Sequence, residues 1–172
     1  YKLVALDYSQ MELRIAAFLS GDEKMIDIFT KGEDVHTSVA AFVFKVPKEE
    51  VTGEMRRQAK VINFGIIYGM GVLALKQNLG TTRELAQKFY NDYFENFKTL
   101  AAYLDKTKAS TLRLGFTETF FGRRRYFEGL KSHIPFIRAA AERTAINAPI
   151  QGTGADIIKL AMIHVDECIK KE

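Results

Sequence analysis

Cysteine and long apolar runs are both scarce in this sequence, and each shortage excludes a class of protein. The single cysteine, Cys168, rules out a disulfide within the chain and gives no support to a thiolate metal site. The longest apolar run, residues 61–75, is interrupted by Asn63 and by glycines, and it falls short of the ~20 residues that a membrane-spanning helix needs. We find no signal-peptide pattern either, so we expect a cytoplasmic protein with no membrane partner.

The composition is that of an ordinary globular protein. Hydrophobic residues make up 47% of the 172 residues and charged residues 27%, which suits one domain or two closely joined lobes with a sizeable core. The net charge of +4 permits an anionic partner without requiring one. The sequence shows no repeat, low-complexity tract or flexible linker, and we expect a monomer.

The two ends of the sequence suggest that it belongs to a longer chain. It begins with YKLVALDYSQ, without a methionine and already inside a strand-like run, and it ends with HVDECIKKE, which is typical of the last turns of a helix. Natural domains seldom begin within a strand. We therefore expect the 172 residues to be part of a larger protein.

The first residues predict a strand followed by a helix. Residues 3–6 form a short apolar run ending at Asp7, which is typical of a buried strand with a carboxylate at its carboxyl end. Ser9 and Glu12 have the spacing of a capping box. Apolar residues then recur at helical spacing, at Met11, Ile15, Phe18 and Leu19.

The remainder of the sequence predicts helices and one hairpin. The helices lie at about 22–31, 34–44, 53–70, 82–93, 96–113, 136–148 and 152–170. Thr81 with Glu84 gives a second capping box, and Pro135 suits a first helical turn. Residues 116–127 predict a hairpin that turns near Gly122. The fold class is therefore α+β, dominated by helices.

Residues 56–71, RRQAKVINFGIIYGMG, predict a helix with two different sides. At about 100° per residue, one stripe carries Arg56, Lys60, Phe64 and Tyr68, and the opposite side is small and apolar. Phosphates beside the two cations and a flat ring beside the two aromatic side chains would use the whole stripe. A solvated basic turn followed by core aromatics explains the same pattern, and the pattern alone leaves both interpretations open.

Other candidates also have plain structural explanations. Asp7 alone could cap a helix or turn, and the capping box accounts for Glu12. The aromatic residues between 89 and 97 recur at helical spacing, which favours core packing over base stacking. Residues 123–125, three arginines on the hairpin, could follow a phosphate backbone or form a solvated tip. His133 has no assignable role.

Three segments together resemble one protein family. DYSQMELR (residues 7–14) and RRQAKVINFGIIYG (residues 56–69) closely resemble motifs A and B of family A DNA polymerases, the bacterial DNA polymerase I type. ERTAINAPIQGTGADIIK (residues 142–159) is similar to the segment that leads into that family's long palm helix. The segments follow the family's order and spacing, and the likeness covers essentially all 172 residues.

The resemblance implies a division into palm and fingers. Residues 1–12 correspond to a palm strand with motif A, residues 13–142 to the fingers, and residues 143–172 to a palm helix. The motif B helix (about 53–70) and the hairpin (about 116–127) belong to the fingers. Motif C and the thumb are expected to lie outside this sequence.

The resemblance also implies the catalytic residues. Asp7 corresponds to the motif A aspartate that binds both Mg²⁺ ions, with the Tyr8 carbonyl as a further ligand, and the second aspartate ligand is expected outside this chain. Arg56 and Lys60 correspond to the residues that hold the triphosphate, and Lys60 could protonate the departing pyrophosphate. We take Asp7, Arg56 and Lys60 as the catalytic candidates.

The rest of the dNTP pocket follows from the same resemblance. Glu12 is similar to the steric gate, a side chain that leaves no room for a ribose 2′-OH, and Phe64 matches the ring over the sugar. Tyr68 matches the tyrosine near the nascent base pair that also contacts the gate. His36 falls where the family places a histidine against the β-phosphate, and Gln10 lies in the pocket. Three residues match positions that contact primer and template: Arg143, Asn147 and Gln151.

HVDE, residues 164–167, is only superficially similar to the His-Asp-Glu turn of motif C. A valine intervenes, and a helical apolar stripe runs through the segment. The stripe consists of Ile158, Ala161, Met162, Val165 and Ile169. We therefore expect residues 164–167 to be helical and not to bind metal.

The resemblance implies template-directed transfer of deoxynucleotides from dNTP to a primer 3′-OH by a two-metal mechanism, with primer-template DNA and dNTP as partners. This activity is expected of a full-length polymerase, and the 172 residues alone are expected to be inactive. The alternative is a non-catalytic helical module that binds nucleic acid. Asp7 and Glu12 separate the two, because a pure binder has no use for them at this spacing.

Overall fold

The protein is described here by a computed structural model that covers residues 2–171, with only the backbone described for Lys171. Within that range the fold is predominantly helical, as predicted, with one two-stranded sheet. The helices are α1 (Met11–Ser20), α2 (Glu23–Thr30), α3 (Val35–Phe44), α4 (Gly53–Ile67), α5 (Val72–Leu79), α6 (Arg83–Asn96), α7 (Lys98–Leu114) and α8 (Pro135–Lys171). The strands are β1 (Phe116–Glu118) and β2 (Arg124–Tyr126), and short 3₁₀ helices occupy Lys48–Glu50 and Glu128–Lys131.

The main core lies between the first seven helices and is closed on one side by α8. Its largest fully buried side chains include Tyr93, Phe97, Leu13, Met25, Ile62, Ile67 and Leu100. Of the aromatic residues on α6, Phe89 and Tyr93 are buried while Tyr90 and Phe94 are half-buried. The core-packing interpretation of these aromatics is therefore confirmed.

Helix α4 has the two-sided character that the sequence predicts. Thr52 caps its first turn by accepting a hydrogen bond from the Met55 backbone N–H at 3.2 Å. Its apolar back is buried at Ala59, Ile62 and Ile66. The helix ends three residues earlier than predicted because Gly69 adopts φ 71°, and a Cβ there would lie 3.1 Å from the Arg143 Cα. Glycine thus brings the end of α4 close against α8.

The hairpin forms where the sequence predicts it. Phe116 pairs with Tyr126 and Glu118 with Arg124 in antiparallel register. Gly122 at the turn has φ 81°, a conformation that glycine adopts without steric cost. The hairpin packs on α8, where the Thr153 hydroxyl accepts a hydrogen bond from the Phe120 N–H at 3.0 Å.

Helix α8 joins two helices that the sequence predicts separately. It begins at Pro135 as expected, but it continues through Pro149, so the predicted break near residues 148–152 is wrong. Proline removes one helical hydrogen bond, and the burial of Ala148, Ile150 and Thr153 beside it offsets that loss. Residues 164–167 lie within α8, which confirms that they are helical. Neither α8 nor any other helix in the described part of the chain is long and apolar enough to cross a membrane.

The predicted buried strand at residues 3–6 does not form. This segment has no regular secondary structure, and the side chains of Leu3, Val4 and Leu6 are largely exposed. A strand requires a hydrogen-bonding partner, and within residues 2–171 both observed strands are paired with each other in the hairpin. The apolar pattern predicted that residues 3–6 are buried, but within the described residues their side chains are exposed.

Neither of the two predicted capping boxes forms as predicted. The N-cap of α1 is Gln10, with φ 55° and no side-chain cap hydrogen bond, so Ser9 does not cap this helix. The N-cap of α6 is Thr82, one residue after Thr81, and its hydroxyl accepts from the Leu85 N–H at 3.2 Å. Helix α5 was not predicted, because its apolar residues follow α4 across a glycine-containing turn with no clear cap.

Candidate functional site

The candidate site is the exposed front of α4 together with the start of α1 and α3. Arg56 and Lys60 are exposed on α4, Phe64 is half-buried, and Tyr68 lies just past the end of the helix. The rings of Phe64 and Tyr68 are stacked, with centroids 6.4 Å apart and planes inclined by 24°. The structure therefore places two cations and then two flat rings along one accessible stripe, as predicted.

Tyr68 and Glu12 link the end of α4 to the first turn of α1. The Tyr68 hydroxyl lies 3.0 Å from Glu12 Oε1 and 2.8 Å from Oε2, and it donates to this carboxylate. Partial burial raises the pKa of the Tyr68 hydroxyl, and the hydrogen bond to Glu12 raises it further. The Glu12 side chain is therefore held by Tyr68 and not by a capping box.

Arg56 has a carboxylate partner that the sequence analysis missed. Its Nε lies 2.6 Å from Asp34 Oδ2, and its Nη2 lies 3.2 Å from Asp34 Oδ1. Gln10 Nε2 donates to the same carboxylate at 3.2 Å. Partial burial alone would raise the pKa of Asp34, but hydrogen bonds from Arg56 and Thr37 outweigh it and hold that pKa well below its usual range. Asp34 is thus an anion throughout the physiological pH range.

His36 lies behind the front of α4 and is buried, with 3% of its surface exposed. Its Nδ1 lies 3.1 Å from the side-chain nitrogen of Asn63, and its ring centroid lies 5.8 Å from that of Phe64. Burial is the largest effect on the His36 pKa and lowers it, so the ring is predominantly neutral at pH 7. An amide nitrogen only donates, and the contact with Asn63 therefore favours the tautomer with its proton on Nε2.

Asp7 and Tyr8 lie before α1 with their side chains exposed. They border an apolar groove of about 610 Å³ against the second half of α8. The described residues contain no group of three or more His, Cys, Asp or Glu side chains placed to hold a metal ion. Asp7 and the Tyr8 carbonyl are thus oxygen donors, but by themselves they form only part of a ligand set.

The three α8 residues predicted to contact DNA differ in accessibility. Arg143 and Gln151 are exposed, and Arg143 lies against Gly69 at the end of α4. Asn147 is 4% exposed, and its side-chain nitrogen donates to the Ile67 carbonyl at 3.0 Å. Asn147 therefore supplies a hydrogen-bond donor to a carbonyl group in the last turn of α4, a role that the sequence did not indicate.

Each arginine on the hairpin has a partner within the described chain. Arg123 Nε lies 2.8 Å from Asp156 Oδ1, and Arg124 Nε lies 2.5 Å from Glu118 Oε1. The Arg125 guanidinium lies 5.4 Å from the centre of the Phe127 ring. All three side chains remain exposed, so contact with a phosphate backbone and a solvated tip both stay predictions.

Asp34 and Asn63 are the site residues that sequence reasoning missed. Asp34 is the N-cap of α3, since its side chain accepts from the Thr37 N–H at 3.1 Å. No local pattern indicates that the same carboxylate faces Arg56, which lies 22 residues further along the chain. Asn63 is fully buried inside an apolar run, and a buried amide is a signal that a polar partner must lie beside it.

Comparison with known proteins shows the family of this chain. The sequence profile described as DNA polymerase family A matches residues 1–172. The chain is 51% identical over 163 residues to the thermostable DNA polymerase I of Thermus aquaticus, covering 95% of this chain and 20% of that protein. It is 49% identical over 171 residues to DNA polymerase I of Pseudomonas aeruginosa, covering 99% of this chain and 19% of that protein.

A solved structure is similar over the same length. It is a POL domain of Pol1 from M. smegmatis in complex with DNA primer-template and dNTP, with a TM-score of 0.91 and 46% identity. The match covers 96% of this chain and 29% of that one. The chain spans about a fifth of the length of the curated relatives it matches. This chain belongs to DNA polymerase family A.

Proposed function

We propose that these residues form the nucleotide-binding part of a DNA polymerase that transfers deoxynucleotides from dNTP to a primer 3′-OH under the direction of a template. The observation that carries the proposal is the contact between Tyr68 and Glu12, which joins the two segments that resemble motifs A and B. The relatives are DNA polymerases, and the similar M. smegmatis structure contains primer-template and dNTP.

The proposed division of the chain follows the resemblance. Residues 1–12 and 143–172 belong to the palm, and residues 13–142 form the fingers, with α4 as the fingers helix that faces the nucleotide. Primer-template DNA contacts the exposed Arg143 and Gln151 on α8, and the buried Asn147 supports this surface by holding the last turn of α4. The expectation of a monomeric, cytoplasmic protein rests on the sequence alone and stays a prediction.

Arg56 and Lys60 bind the triphosphate. Both are exposed on the same side of α4, one helical turn apart, and both carry positive charge suited to phosphate oxygens. Because charge develops on the leaving pyrophosphate, a preoriented cation stabilises the transition state more than the bound substrate. Lys60 also carries protons that it can give to the leaving group.

Phe64 and Glu12 surround the sugar, and Tyr68 lies near the nascent base pair. Phe64 presents a ring to one side of the sugar, while Glu12 occupies the space that a 2′-OH would need. The Tyr68 hydroxyl donates to the Glu12 carboxylate and so holds the side chain that excludes a 2′-OH in position. Gln10 borders the pocket, and His36 supports the β-phosphate from beneath Phe64, with Nε2 as the donor.

Asp7 and the Tyr8 carbonyl would contribute oxygen ligands to Mg²⁺. Hard divalent cations bind carboxylate and carbonyl oxygens, so the donor type fits. The number of donors is too small for a complete site, since the described residues contain no cluster of three acidic, histidine or cysteine side chains. The resemblance implies that the second aspartate ligand lies in another segment of the polymerase, outside these 172 residues. Bound Mg²⁺ supplies positive charge to the attacking and leaving oxygens.

Lys60→Ala in a full-length polymerase that carries these 172 residues tests the proposal. We expect single-turnover dNTP incorporation to fall by about 100-fold or more, the usual effect of losing a charge-stabilising group. Affinity for primer-template should remain unchanged. Lys88→Ala is the matched control, because Lys88 is an exposed lysine on α6 outside the stripe. If the parent polymerase binds DNA without extending a primer, the non-catalytic binding module is the correct interpretation.

A further inference from the structure

The carboxylate of Asp34 lies where three segments of the candidate site meet. Oδ2 accepts from Arg56 Nε at 2.6 Å and from the Thr37 hydroxyl at 2.6 Å, while Oδ1 accepts from Arg56 Nη2 and Gln10 Nε2, both at 3.2 Å. Gln10 precedes α1, Thr37 lies on α3 and Arg56 lies on α4. One side chain therefore joins α3 and α4, which carry the proposed phosphate contacts, to the segment before α1, which borders the proposed dNTP pocket.

The contact with Arg56 fixes the orientation of the guanidinium group. A guanidinium has five N–H donors in one plane, and a bidentate contact through Nε and Nη2 uses one edge of that plane. The opposite edge, formed by Nη1 and the second Nη2 hydrogen, makes no hydrogen bond to residues 2–171. Arg56 can therefore bind a phosphate through its free edge without leaving Asp34, while its side chain is 47% exposed to solvent.

Electrostatics also favours this pairing. Arg56 lies in the first turns of α4, where the helix dipole disfavours a cation. The Asp34 carboxylate offsets that repulsion, and the hydrogen bonds from Arg56 and Thr37 keep it ionised. Free rotation of a long arginine side chain would be lost when it bound phosphate. A partner that holds the side chain beforehand reduces this entropic cost.

We propose that Asp34 is a positioning residue that holds Arg56 in the orientation required to bind the triphosphate. This inference rests on the proposed function and assigns the role to a residue outside the predicted nucleotide contacts. Asp34 acts through Arg56 and does not itself contact the nucleotide. Its loss should therefore lower the rate of nucleotide transfer only when Arg56 is present.

Asp34→Asn tests this in a full-length polymerase that carries these residues. Asparagine retains the size and the capping ability of aspartate but lacks its charge. We expect the maximal single-turnover rate to fall about tenfold, as for a group worth about 1.4 kcal/mol in the transition state, with affinity for primer-template unchanged. Asp34→Glu, which keeps the charge, should recover part of the rate.

A double-mutant cycle with Arg56→Ala separates positioning from a merely structural role. In the Arg56→Ala background we expect Asp34→Asn to have no further effect on the rate, because its target is gone. A structural role would instead give additive losses and a lower melting temperature in both backgrounds, and that result would overturn the inference. Glu33→Gln is the matched control, since Glu33 is the adjacent carboxylate and pairs with Lys48 away from the stripe.

The outcomes also distinguish this inference from the proposed function. A parent polymerase that shows no template-directed extension contradicts the proposed function itself. If the parent extends primers and Arg56→Ala slows it, but Asp34→Asn does not, only the role of Asp34 is wrong. If Asp34→Asn folds poorly, the same cycle made with Asp34→Ser, which keeps a capping oxygen, gives the decision.

Discussion

The hydroxyl of Tyr68 donates to the carboxylate of Glu12, at 3.0 and 2.8 Å from its two oxygens, although the residues lie 56 positions apart. The contact fixes the distance between the end of α4 and the first turn of α1. Any nucleotide bound on the front of α4 must therefore fit beside a carboxylate that is held in place. This relationship makes the proposed discrimination at the sugar testable.

Glu12→Ala should raise ribonucleotide incorporation by a full-length polymerase that carries these residues, because it opens space at the 2′ position. Tyr68→Phe should raise it less, since the carboxylate remains but loses the hydroxyl that holds it. Single-turnover rates with dNTP and rNTP measure the ratio. An equal fall for both substrates would show that Glu12 does not act as a gate. We expect no loss of a helix cap, because Ser9 does not cap α1.

Phe64→Tyr should ease incorporation of dideoxynucleotides while leaving normal substrates nearly unaffected. Tyrosine at this position supplies a hydroxyl that can replace the missing 3′-OH, and phenylalanine does not. The Phe64 ring is half-buried and stacked with Tyr68. Competition between ddNTP and dNTP gives the ratio. The same Phe→Tyr change at Phe29 on α2 is the control, and unchanged discrimination at Phe64 would contradict the placement over the sugar.

The success of the sequence prediction depended on how local each signal was. Helix α4 and the hairpin were predicted because the periodicity of the helix and the turn glycine of the hairpin lie within each segment itself. The break at Pro149 was wrong because burial of neighbouring side chains in α8 overrides a local preference. The strand at residues 3–6 was wrong because pairing requires partners that the pattern does not reveal.

The candidate site shows the same division. Arg56, Lys60, Phe64 and Tyr68 were found together because helical spacing alone aligns them. The hydrogen bonds of Asp34 were not predicted, because a capping aspartate has the same local sequence whether or not an arginine faces its other edge. Contacts between distant segments depend on how the helices pack, which no single segment encodes.

Burial of His36 predicts a pH dependence of stability. Its pKa is lowered in the folded protein, chiefly by burial and further by Arg56 and Lys60, while Asp34 acts in the opposite direction. As the pH falls below about 6.5, the unfolded chain binds a proton at this histidine before the folded protein does. The free energy of unfolding should therefore decrease as the pH falls from 7 to 5.

Melting temperatures of His36→Gln measured across this range test the assignment. In a full-length polymerase that carries these residues, His36→Gln should lose less stability between pH 7 and 5 than the unsubstituted protein, because glutamine does not titrate. His133→Gln is the matched control, since it removes an exposed histidine in place of the buried one. Equal slopes for the parent and His36→Gln would contradict the claim that buried, neutral His36 couples folding to pH.

Residues 1–172 expressed alone should not extend a primer. The described residues hold no acidic cluster that could bind two metal ions, and Asp7 by itself leaves them without enough oxygen ligands. The second half of α8 also exposes apolar side chains, including Met162 at 66% and Ile169 at 69%, across a groove from the still more exposed Val4 and Leu6. Such a surface favours aggregation.

We expect weak, salt-sensitive binding of DNA or dNTP through Arg56 and Lys60, because exposed cations attract phosphates and salt screens them. Gel assays with Mg²⁺ measure primer extension by residues 1–172, and light scattering measures their aggregation. Template-dependent extension by this chain would show that the second metal ligand lies within it, and would direct attention to Asp166 and Glu167.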